Sequence, residues 1–370
     1  MTTDAPLRAA IIGTGAIAHA HAEAITAHAG RIALIAVVDL DPDRATAFAE
    51  QHGAAEVHAD ADALFAAGDY DIVHICTPPQ THGPLAAQAM RAGAIPLVEK
   101  PTVLTLAELD ALAEVSAETG IPVLTVFQQR FGAAALHLAE LVRTGALGRP
   151  LVATCETLWF RADSYFDAPW RGKWAVEGGG PTMGHGIHQF DLLLATLGPW
   201  KKLSAFAARQ SRPTDTEDVS MALVEFDNGA LATVVNSIVS PRETSRLRFD
   251  FEHATVELEH LYGYDDTNWR FTAAPGHEHL EAVWNDRTGD EESGHRSQLD
   301  LILRALAAGE EPPGALEATR RTLEFAAATY ASAFSGAPVT AGEVVAGHPH
   351  HVAMDGSGRA PWPPHARSAS

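Results

Sequence analysis

The sequence predicts an α/β protein with two different sheets: an N-terminal doubly wound parallel sheet, followed by an α/β domain with an open, mostly antiparallel sheet. Between residues 7 and 127, short apolar runs alternate with amphipathic stretches, which is typical of parallel strands buried between helices. After Phe127, strand-like segments follow one another directly and are joined by turns. A chain of 370 residues is long enough for two domains that each bury a core.

The first sheet is predicted from five apolar runs separated by helical patterns. The runs are LRAAII, RIALIAVV, DIVHIC, IPLVE and IPVLTVF. Pro42, directly after Asp41, suits the first position of a helix. These signals place the first domain at residues 1–127.

The second domain is predicted to cover residues 128–345, with a C-terminal tail over 346–370. Its expected elements are, in order, a helix over 132–144, an extended segment ending at Phe160, an aromatic loop, a helix after the glycines at 178–180, a hairpin turning at 227–229, three further strands, and helices over about 297–308 and 316–334. The tail is rich in Gly, Pro, Ser and His, its histidines at 348, 350 and 351 are expected to be solvated, and its end is expected to be poorly ordered.

Composition argues against several classes of protein. The chain has 47 acidic and 26 basic residues, a formal charge of −21, which disfavours nucleic acid and anionic membranes as partners. No apolar run approaches the ~18 residues of a membrane span, and the N-terminus does not resemble a secretory signal. Cys76 and Cys155 each stand alone in an apolar run, which favours reduced, buried thiols. We therefore expect a cytoplasmic protein with a small-molecule substrate.

A glycine motif follows the first predicted strand and opens the first helix. Gly13-Thr14-Gly15-Ala16-Ile17-Ala18 has the order Gly-x-Gly-x-x-Ala, which lets the backbone approach a pyrophosphate at a helix N-terminus. The second strand ends at Asp39, an acid placed to bind both ribose hydroxyls. Because this carboxylate would repel a 2′-phosphate, NAD is favoured over NADP, although Arg44 lies near enough to weaken that preference.

Two further strands end in polar segments, where ligands of parallel sheets bind. One continues into Thr77, Pro78 and, four positions after Pro78, His82; the other ends in Glu99-Lys100-Pro101. Lys100 is one of four lysines against 22 arginines, and its ammonium could stabilise an alkoxide that develops on a substrate hydroxyl. The alternative is a salt bridge with a neighbouring acid.

A glycine-rich segment precedes a helix that carries His185, His188 and Asp191. Neutral imidazole suits the base that takes a hydroxyl proton while a hydride leaves carbon. A helical His beside an Asp can equally be a surface pair or a satisfied core residue, and the three side chains could also form a metal triad. We expect no metal, since hydride transfer to a nicotinamide needs none.

The aromatic loop could serve either a sugar ring or packing between domains. Its aromatic residues are Trp159, Tyr165, Phe166, Trp170 and Trp174, interleaved with Arg161, Arg171 and Lys173. Arg130 and His295 are weaker candidates for a pocket.

Taken together, GTGAIA, TPPQTH, EKP and WRGKW with GGGPTMGHGIHQFDLL resemble the Gfo/Idh/MocA family of sugar and cyclitol oxidoreductases, over about residues 7 to 340. The resemblance implies a Rossmann domain, a nicotinamide cofactor, a homodimer or homotetramer formed through the second sheet, and a cis bond before Pro101. It also implies that Lys100 contacts the nicotinamide ribose and the substrate, and that Trp170 and Arg171 lie in the cleft. The family commonly carries Asp-x-x-x-His at the histidine helix. His188 matches that histidine, but Gly184 stands in place of the aspartate, so His185, Asp191 or water would relay the proton, or His188 would act with Lys100 alone.

The sequence therefore predicts an NAD(P)-dependent oxidoreductase that acts on a secondary hydroxyl of a sugar, sugar derivative or cyclitol, with Lys100 and His188 as catalytic residues. Two alternatives stay open: an enzyme that cleaves a bond while a retained NAD is transiently reduced, and a regulator that senses sugar or NAD without turnover. Predicted cofactor-binding residues are Gly13, Thr14, Gly15, Ala16, Ile17, Asp39, Thr77, Pro78, His82, Glu99, Lys100, Trp170 and Arg171. Predicted substrate-binding residues are Lys100, Arg130, Trp170, His185, His188, Asp191 and His295.

Overall fold

The computed structural model describes residues 5–287, 289 and 291–363. The chain divides into two compact units. The first contains the chain up to residue 103, residues 108–127 and residues 295–319; the second contains residues 104–107, 128–294 and the chain from 320 onward. No helix among the described residues is long and apolar enough to span a membrane.

The first unit contains a six-stranded, fully parallel sheet in the order β3-β2-β1-β4-β5-β6. Its strands are β1 (Leu7–Ile12), β2 (Ile32–Val38), β3 (Glu56–His58), β4 (Ile72–Ile75), β5 (Ile95–Val98) and β6 (Leu124–Thr125). The predicted doubly wound sheet is thus confirmed. The sequence missed β3 because three residues are too few to show a pattern.

Twelve α-helices are present in the described residues. They are α1 (Ala16–Ala27), α2 (Pro42–His52), α3 (Ala61–Ala67), α4 (His82–Arg91), α5 (Leu106–Thr119), α6 (Ala133–Arg143), α7 (Trp174–Glu177), α8 (Ile187–Leu197), α9 (His279–Asn285), α10 (His295–Ala308), α11 (Leu316–Ser335) and α12 (Pro349–Val352). As Pro42 suggested, α2 starts there. The Asp41 side chain accepts hydrogen bonds from the backbone N–H groups of Asp43 and Arg44.

The predicted domain boundary differs from the structure at α10. This helix was assigned to the second domain, but it belongs to the first unit because Leu299, Ile302 and Leu303 share a buried core with Ala22 and Ile25 of α1. The apolar face of α1 is therefore covered by a segment that arrives late in the chain.

The second unit contains an eight-stranded sheet in the order β13-β12-β11-β7-β10-β9-β8-β14. Its strands are β7 (Pro150–Phe160), β8 (Trp200–Ala208), β9 (Val219–Phe226), β10 (Leu231–Ser237), β11 (Val239–Phe251), β12 (Ala254–His260), β13 (Trp269–Ala273) and β14 (Val339–Thr340). The mostly antiparallel sheet and the β9–β10 hairpin are confirmed. The meander is not continuous, because β7 lies between β11 and β10 and runs parallel to β10. Strand β8 and the short edge strand β14 were not predicted.

The tail packs on the second unit where it is described. The indole N–H of Trp362 donates to the Asp215 carbonyl at 2.8 Å, and its ring meets that of Phe334 edge-on. His350 and His351 are buried, so the expectation of solvated tail histidines was wrong. Residues 364–370, the end expected to be poorly ordered, lie outside the described residues.

Candidate active site

The glycine motif forms the turn between β1 and α1, beside the loop that follows β4. Gly13 has φ +90°, and a Cβ there would lie 2.9 Å from the Cys76 carbonyl and from Thr77. Only glycine permits both this backbone conformation and this close approach. The reversal of strand order between β1 and β4 is where dinucleotides bind in such sheets.

The start of α1 is open to a ligand. A Cβ placed on Gly15 would meet no atom of the described chain within 4 Å. No side chain caps α1, and its first turn carries no acid, so the N–H groups around Ala16 and Ile17 face a space suited to an anion. The buried Ala18 lets the helix pack on the sheet. These features fit the pyrophosphate of a dinucleotide.

Asp39 fastens the glycine turn to the end of β2. Its carboxylate accepts hydrogen bonds from Thr14 N and Oγ1, both at 2.8 Å, and from Asp41 N at 2.9 Å. Arg44 adds an ion pair at 2.5 Å. Burial opposes ionisation, yet the hydrogen bonds from Arg44 and the backbone hold the pKa of Asp39 well below its usual range. Arg44, which the sequence placed near enough to weaken the expected preference for NAD over NADP, is thus paired with Asp39.

His82 holds together the loops that follow β4 and β5. Its Nδ1 lies 2.7 Å from the Pro101 carbonyl and its Nε2 lies 2.8 Å from the Thr77 carbonyl. The ring is buried, and burial lowers its pKa. The bond between Lys100 and Pro101 is cis, as the resemblance implied. His82 therefore braces the predicted cofactor loop through backbone carbonyls.

Glu99 and His295, predicted to bind cofactor and substrate respectively, contact each other. Glu99 Oε1 lies 2.9 Å from His295 Nε2 and 3.0 Å from His21 Nε2. Glu99 Oε2 accepts a hydrogen bond from the Lys100 N–H at 3.2 Å. Burial raises the pKa of Glu99, but the two imidazoles outweigh that effect and hold it well below its usual range. Sequence reasoning missed His21, which carried no signal beyond its place in an Ala- and His-rich helix.

In the second unit, a π-helical turn over Thr182–Gly186 leads into α8. Such turns occur often at functional sites. Three glycines in or just before this turn are required by packing: a Cβ on Gly179 would collide with the Tyr330 hydroxyl, on Gly180 with the Glu217 carbonyl, and on Gly186 with the Asn236 amide. This turn carries His185, and the buried His188 lies at the start of α8.

Aromatic rings surround the two histidines. Ring centroids of His185 and Trp159 lie 5.1 Å apart, those of His185 and Tyr165 6.2 Å, and those of His188 and Tyr262 6.2 Å. Trp159 is held by a hydrogen bond from its indole N–H to the Ser245 hydroxyl at 3.0 Å. We call these rings, Trp159, Tyr165 and Tyr262, the aromatic wall. Tyr262 was missed because it lies 74 residues beyond His188 in the chain.

Arg171 stacks within the aromatic loop. Its guanidinium carbon lies 4.0 Å from the Trp170 ring centroid and 4.1 Å from that of Tyr165. An ion pair with Glu177 at 3.0 Å fixes its orientation. Trp170 and Arg171 thus form one rigid group with Tyr165.

Asp191 and Arg130, two predicted substrate residues, form a buried ion pair. Arg130 Nε lies 2.8 Å from Asp191 Oδ2, and the Thr322 hydroxyl donates to Oδ1 at 2.8 Å. Burial raises the pKa of Asp191, and the Arg130 charge opposes that rise. Both carboxylate oxygens are engaged, which suits a structural role more than a proton relay.

Comparison with protein-family models shows the family to which the chain belongs. Residues 7–127 match the model described as "Oxidoreductase family, NAD-binding Rossmann fold", and residues 135–257 match the GFO/IDH/MocA C-terminal domain. The chain belongs to the Gfo/Idh/MocA family. It is accordingly an NAD-binding oxidoreductase, as the sequence predicted.

Curated relatives of this Gfo/Idh/MocA protein are sugar and cyclitol dehydrogenases. The D-glucoside 3-dehydrogenase of Escherichia coli is 28% identical over 72% of this chain and 81% of its own length. The myo-inositol 2-dehydrogenase of Thermotoga maritima is 28% identical over 62% and 68%. A solved structure of the WlbA dehydrogenase from Bordetella pertussis, in complex with NADH and UDP-GlcNAcA, superposes with a TM-score of 0.81 at 24% identity, covering 90% of this chain and 98% of that one.

Gly184, where the resemblance expected an aspartate, leaves room. A Cβ there would meet no described atom within 4 Å. The Gly184 N–H donates to the Gly180 carbonyl at 2.8 Å. This Gfo/Idh/MocA protein therefore lacks the aspartate side chain of the family pattern, and no atom of the described chain takes its place beside Gly184.

A metal at the histidine helix finds no support. Within residues 5–287, 289 and 291–363, the one set of three metal-type donors that converge is His21, Glu99 and His295. His185, His188 and Asp191 do not form such a set, and Asp191 is committed to Arg130.

Proposed function

We propose that the protein is an NAD-dependent dehydrogenase acting on a secondary hydroxyl of a sugar, sugar derivative or cyclitol, in either direction. The observation that carries this proposal is the aromatic wall beside His185 and His188 in a chain of an NAD-binding family. Aromatic faces stack on the CH groups of a sugar ring, and imidazoles bond its hydroxyls. The dehydrogenases named above act on related polyols.

Lys100 and His188 handle the proton in this proposal. NAD, held by the turn at 13–17, would supply the acceptor for the hydride that leaves the carbinol carbon. The Lys100 ammonium orients the hydroxyl and stabilises the negative charge that develops on its oxygen. His188, neutral before the reaction, accepts the hydroxyl proton on a ring nitrogen and becomes imidazolium. The product is a ketone, and the reverse reaction returns the proton from His188.

The remaining predicted residues, apart from His295, take four roles. The turn at 13–17 binds the pyrophosphate through N–H groups, and Asp39 binds the adenosine ribose. Thr77, Pro78, Trp170 and Arg171 border the cofactor, whereas His82 and Glu99 position the loops that carry it. His185 contributes to substrate binding through the aromatic wall. The buried ion pair of Arg130 and Asp191 stabilises α8.

A substrate screen tests this function. Purified protein is mixed with NAD or NADP and a panel of inositols, polyols, and mono- and disaccharides, and nicotinamide reduction is followed by absorbance. At least one cyclic polyol should be oxidised with NAD. Cleavage without net reduction by protein that retains NAD would support the bond-cleaving alternative. Saturable sugar binding without turnover would support the regulator.

We also propose a homo-oligomer formed through the second sheet. Exposed apolar side chains share one face of four neighbouring strands: Val152 of β7, Leu231 of β10, Met221 and Leu223 of β9, and Phe206 of β8. Phe206 is 80% exposed and Leu223 is 65% exposed. A patch of this kind on a central sheet is typical of an interface between identical chains.

Light scattering at micromolar concentration tests the assembly. A homodimer or homotetramer is expected for the unaltered protein, and Leu223→Asp should shift it toward monomer because the charge would be buried. Glu225→Asp on the same strand is the matched control. A monomeric unaltered protein would contradict the proposal.

We further propose a cytoplasmic location, since Cys76 and Cys155 are both free and buried. Fractionation of the native host, with the chain found in the soluble cell extract, checks this.

A further inference from the structure

We propose that the first unit contains a structural zinc site whose ligands are His21 Nε2, Glu99 Oε1 and His295 Nε2. The site adjoins the loop that carries Lys100, because Glu99 also accepts a hydrogen bond from the Lys100 N–H, but none of its ligands takes part in the proposed proton transfer. It differs from the sequence expectation of no metal. Three elements supply the ligands: α1, the end of β5 and the start of α10.

The donor atoms converge at metal-like spacing. Glu99 Oε1 lies 3.0 Å from His21 Nε2 and 2.9 Å from His295 Nε2, and all three donors lie within 4.8 Å of one another. In a tetrahedral zinc site with bonds of about 2.0–2.1 Å, neighbouring donors are roughly 3.3 Å apart. Two imidazoles and a carboxylate are a donor set that zinc commonly takes.

A small cavity adjoins two of these ligands, His21 and His295. Its volume is about 10 Å³, room for one water. The three histidines His21, His74 and His295 share its wall with apolar side chains, including Leu97 and Leu299. Three protein ligands leave a fourth tetrahedral position, and the cavity can hold a water there.

His74 provides an independent indication. It is 1% exposed, and its Nδ1 lies 2.8 Å from His21 Nδ1, which orients the His21 ring as outer partners of metal ligands do. Its Nε2 is buried and has no hydrogen-bond partner in the described chain. A metal-bound water in the cavity would supply that partner.

The protons also balance. Without metal, the ionised Glu99 accepts N–H bonds from Nε2 of both His21 and His295. With zinc, each ring moves its proton to Nδ1 and coordinates through Nε2. His21 then donates from Nδ1 to His74 Nδ1, and His74 carries its proton on Nε2, which donates to the bound water. Zinc therefore replaces two hydrogen bonds without deprotonating a neutral imidazole.

Metal analysis and cobalt spectroscopy of the full-length protein test this site without any substrate. Protein purified without chelator should contain about one zinc per chain by elemental analysis. After chelator treatment, added Co²⁺ should give the visible absorption of tetrahedral cobalt and be displaced by Zn²⁺, and Zn²⁺ should raise the melting temperature.

Three variants locate the metal. His295→Ala should abolish the cobalt spectrum, and His74→Leu, which removes only the outer partner, should weaken Zn²⁺ binding about 10- to 100-fold. His279→Ala, an exposed histidine on α9, should bind normally. Circular dichroism confirms that each variant is folded. Absence of zinc, of a cobalt spectrum and of a thermal shift in the unaltered protein would overturn the proposal and leave a hydrogen-bonded cluster only. Full metal binding by folded His295→Ala would also overturn it.

Discussion

The glycine turn at 13–18 and the glycine-rich segment at 178–186, which contains the π-turn, use the same residue for different purposes. At Gly13, glycine accommodates a backbone conformation and the neighbouring strand, and at Gly15 it leaves an opening at a helix start. At Gly180 and Gly186, glycine instead makes room for Glu217, which lies just before β9, and for Asn236 of β10. The first region presents backbone N–H groups, whereas the second positions side chains. A contiguous motif suffices for the former, and the latter depends on partners far away in the chain.

The largest expected effects separate Lys100 from His188. Lys100→Met should lower turnover about 100-fold or more at every pH while NAD still binds, because a stabilising charge is lost. His188→Ala should lose roughly 100- to 10,000-fold near neutrality and flatten the acid side of the profile, since the imidazole must be neutral to accept a proton. The measurement is kcat/KM against pH, with His279→Ala as control. An unchanged rate and profile in His188→Ala would place the base elsewhere.

The buried ion pair between Arg130 and Asp191 of α8 can be removed by a substitution at Asp191. Asp191→Asn leaves the Arg130 charge without its buried partner and should destabilise the protein by about 3–5 kcal/mol in chemical denaturation. Asp227→Asn, in the exposed hairpin turn, should have little effect. Unaltered stability combined with reduced turnover would instead indicate that Asp191 carries protons.

Gly180 and Gly184 form a matched pair within the second region. Gly180→Ala drives a methyl group into the Glu217 carbonyl and should cost about 1–3 kcal/mol. Gly184→Ala has open space and should be neutral or stabilising by about 0.4–1 kcal/mol. Thermal unfolding distinguishes them, and equal destabilisation would contradict the packing account.

Low pH should reduce the stability of the folded protein through His260, whose Nε2 lies 3.2 Å from Oε1 of Gln189 in α8. Burial lowers the pKa of His260 to about 4 from 6.5. The folded state therefore resists protonation while the unfolded state accepts it, so stability falls as pH drops from about 6.5 toward 4. At pH 5 this amounts to roughly 2 kcal/mol. His260→Gln should reduce that pH dependence in denaturant titrations; an identical dependence would exclude His260 as its source.

The smallest effect concerns the first region. Asp39→Ala should narrow the preference for NAD over NADP by about tenfold, mainly by improving NADP, because it removes the repelling carboxylate and frees Arg44. Binding of both cofactors is measured by fluorescence titration. Equal affinity of the unaltered protein for both would refute the role of Asp39.

The sequence predicted what lies in contiguous segments. The parallel strands, the turn at 13–18, Asp39 and the helix with His188 could all be placed, because periodicity and glycine spacing are local properties. It did not predict that Tyr262 faces His188, that Arg130 pairs with Asp191, or that His21 meets Glu99 and His295. These contacts join residues separated by 61 or more positions, and nothing in one sequence marks such pairs. The short edge strands were missed for a different reason, since too few residues carry the pattern.

The late helix α10 has a consequence for protein engineering. Gln298 accepts a hydrogen bond from Phe127 N at 3.0 Å and donates to the Thr125 carbonyl at 2.7 Å, and Thr125 N donates to the Gly314 carbonyl at 2.9 Å. The edge of β6 is thus covered by a segment nearly two hundred residues away. A fragment cut at residue 127 would expose that edge together with the apolar face of α1, so it should aggregate. Exchange of nucleotide-binding modules between such chains requires that residues 295–319 travel with the N-terminal segment.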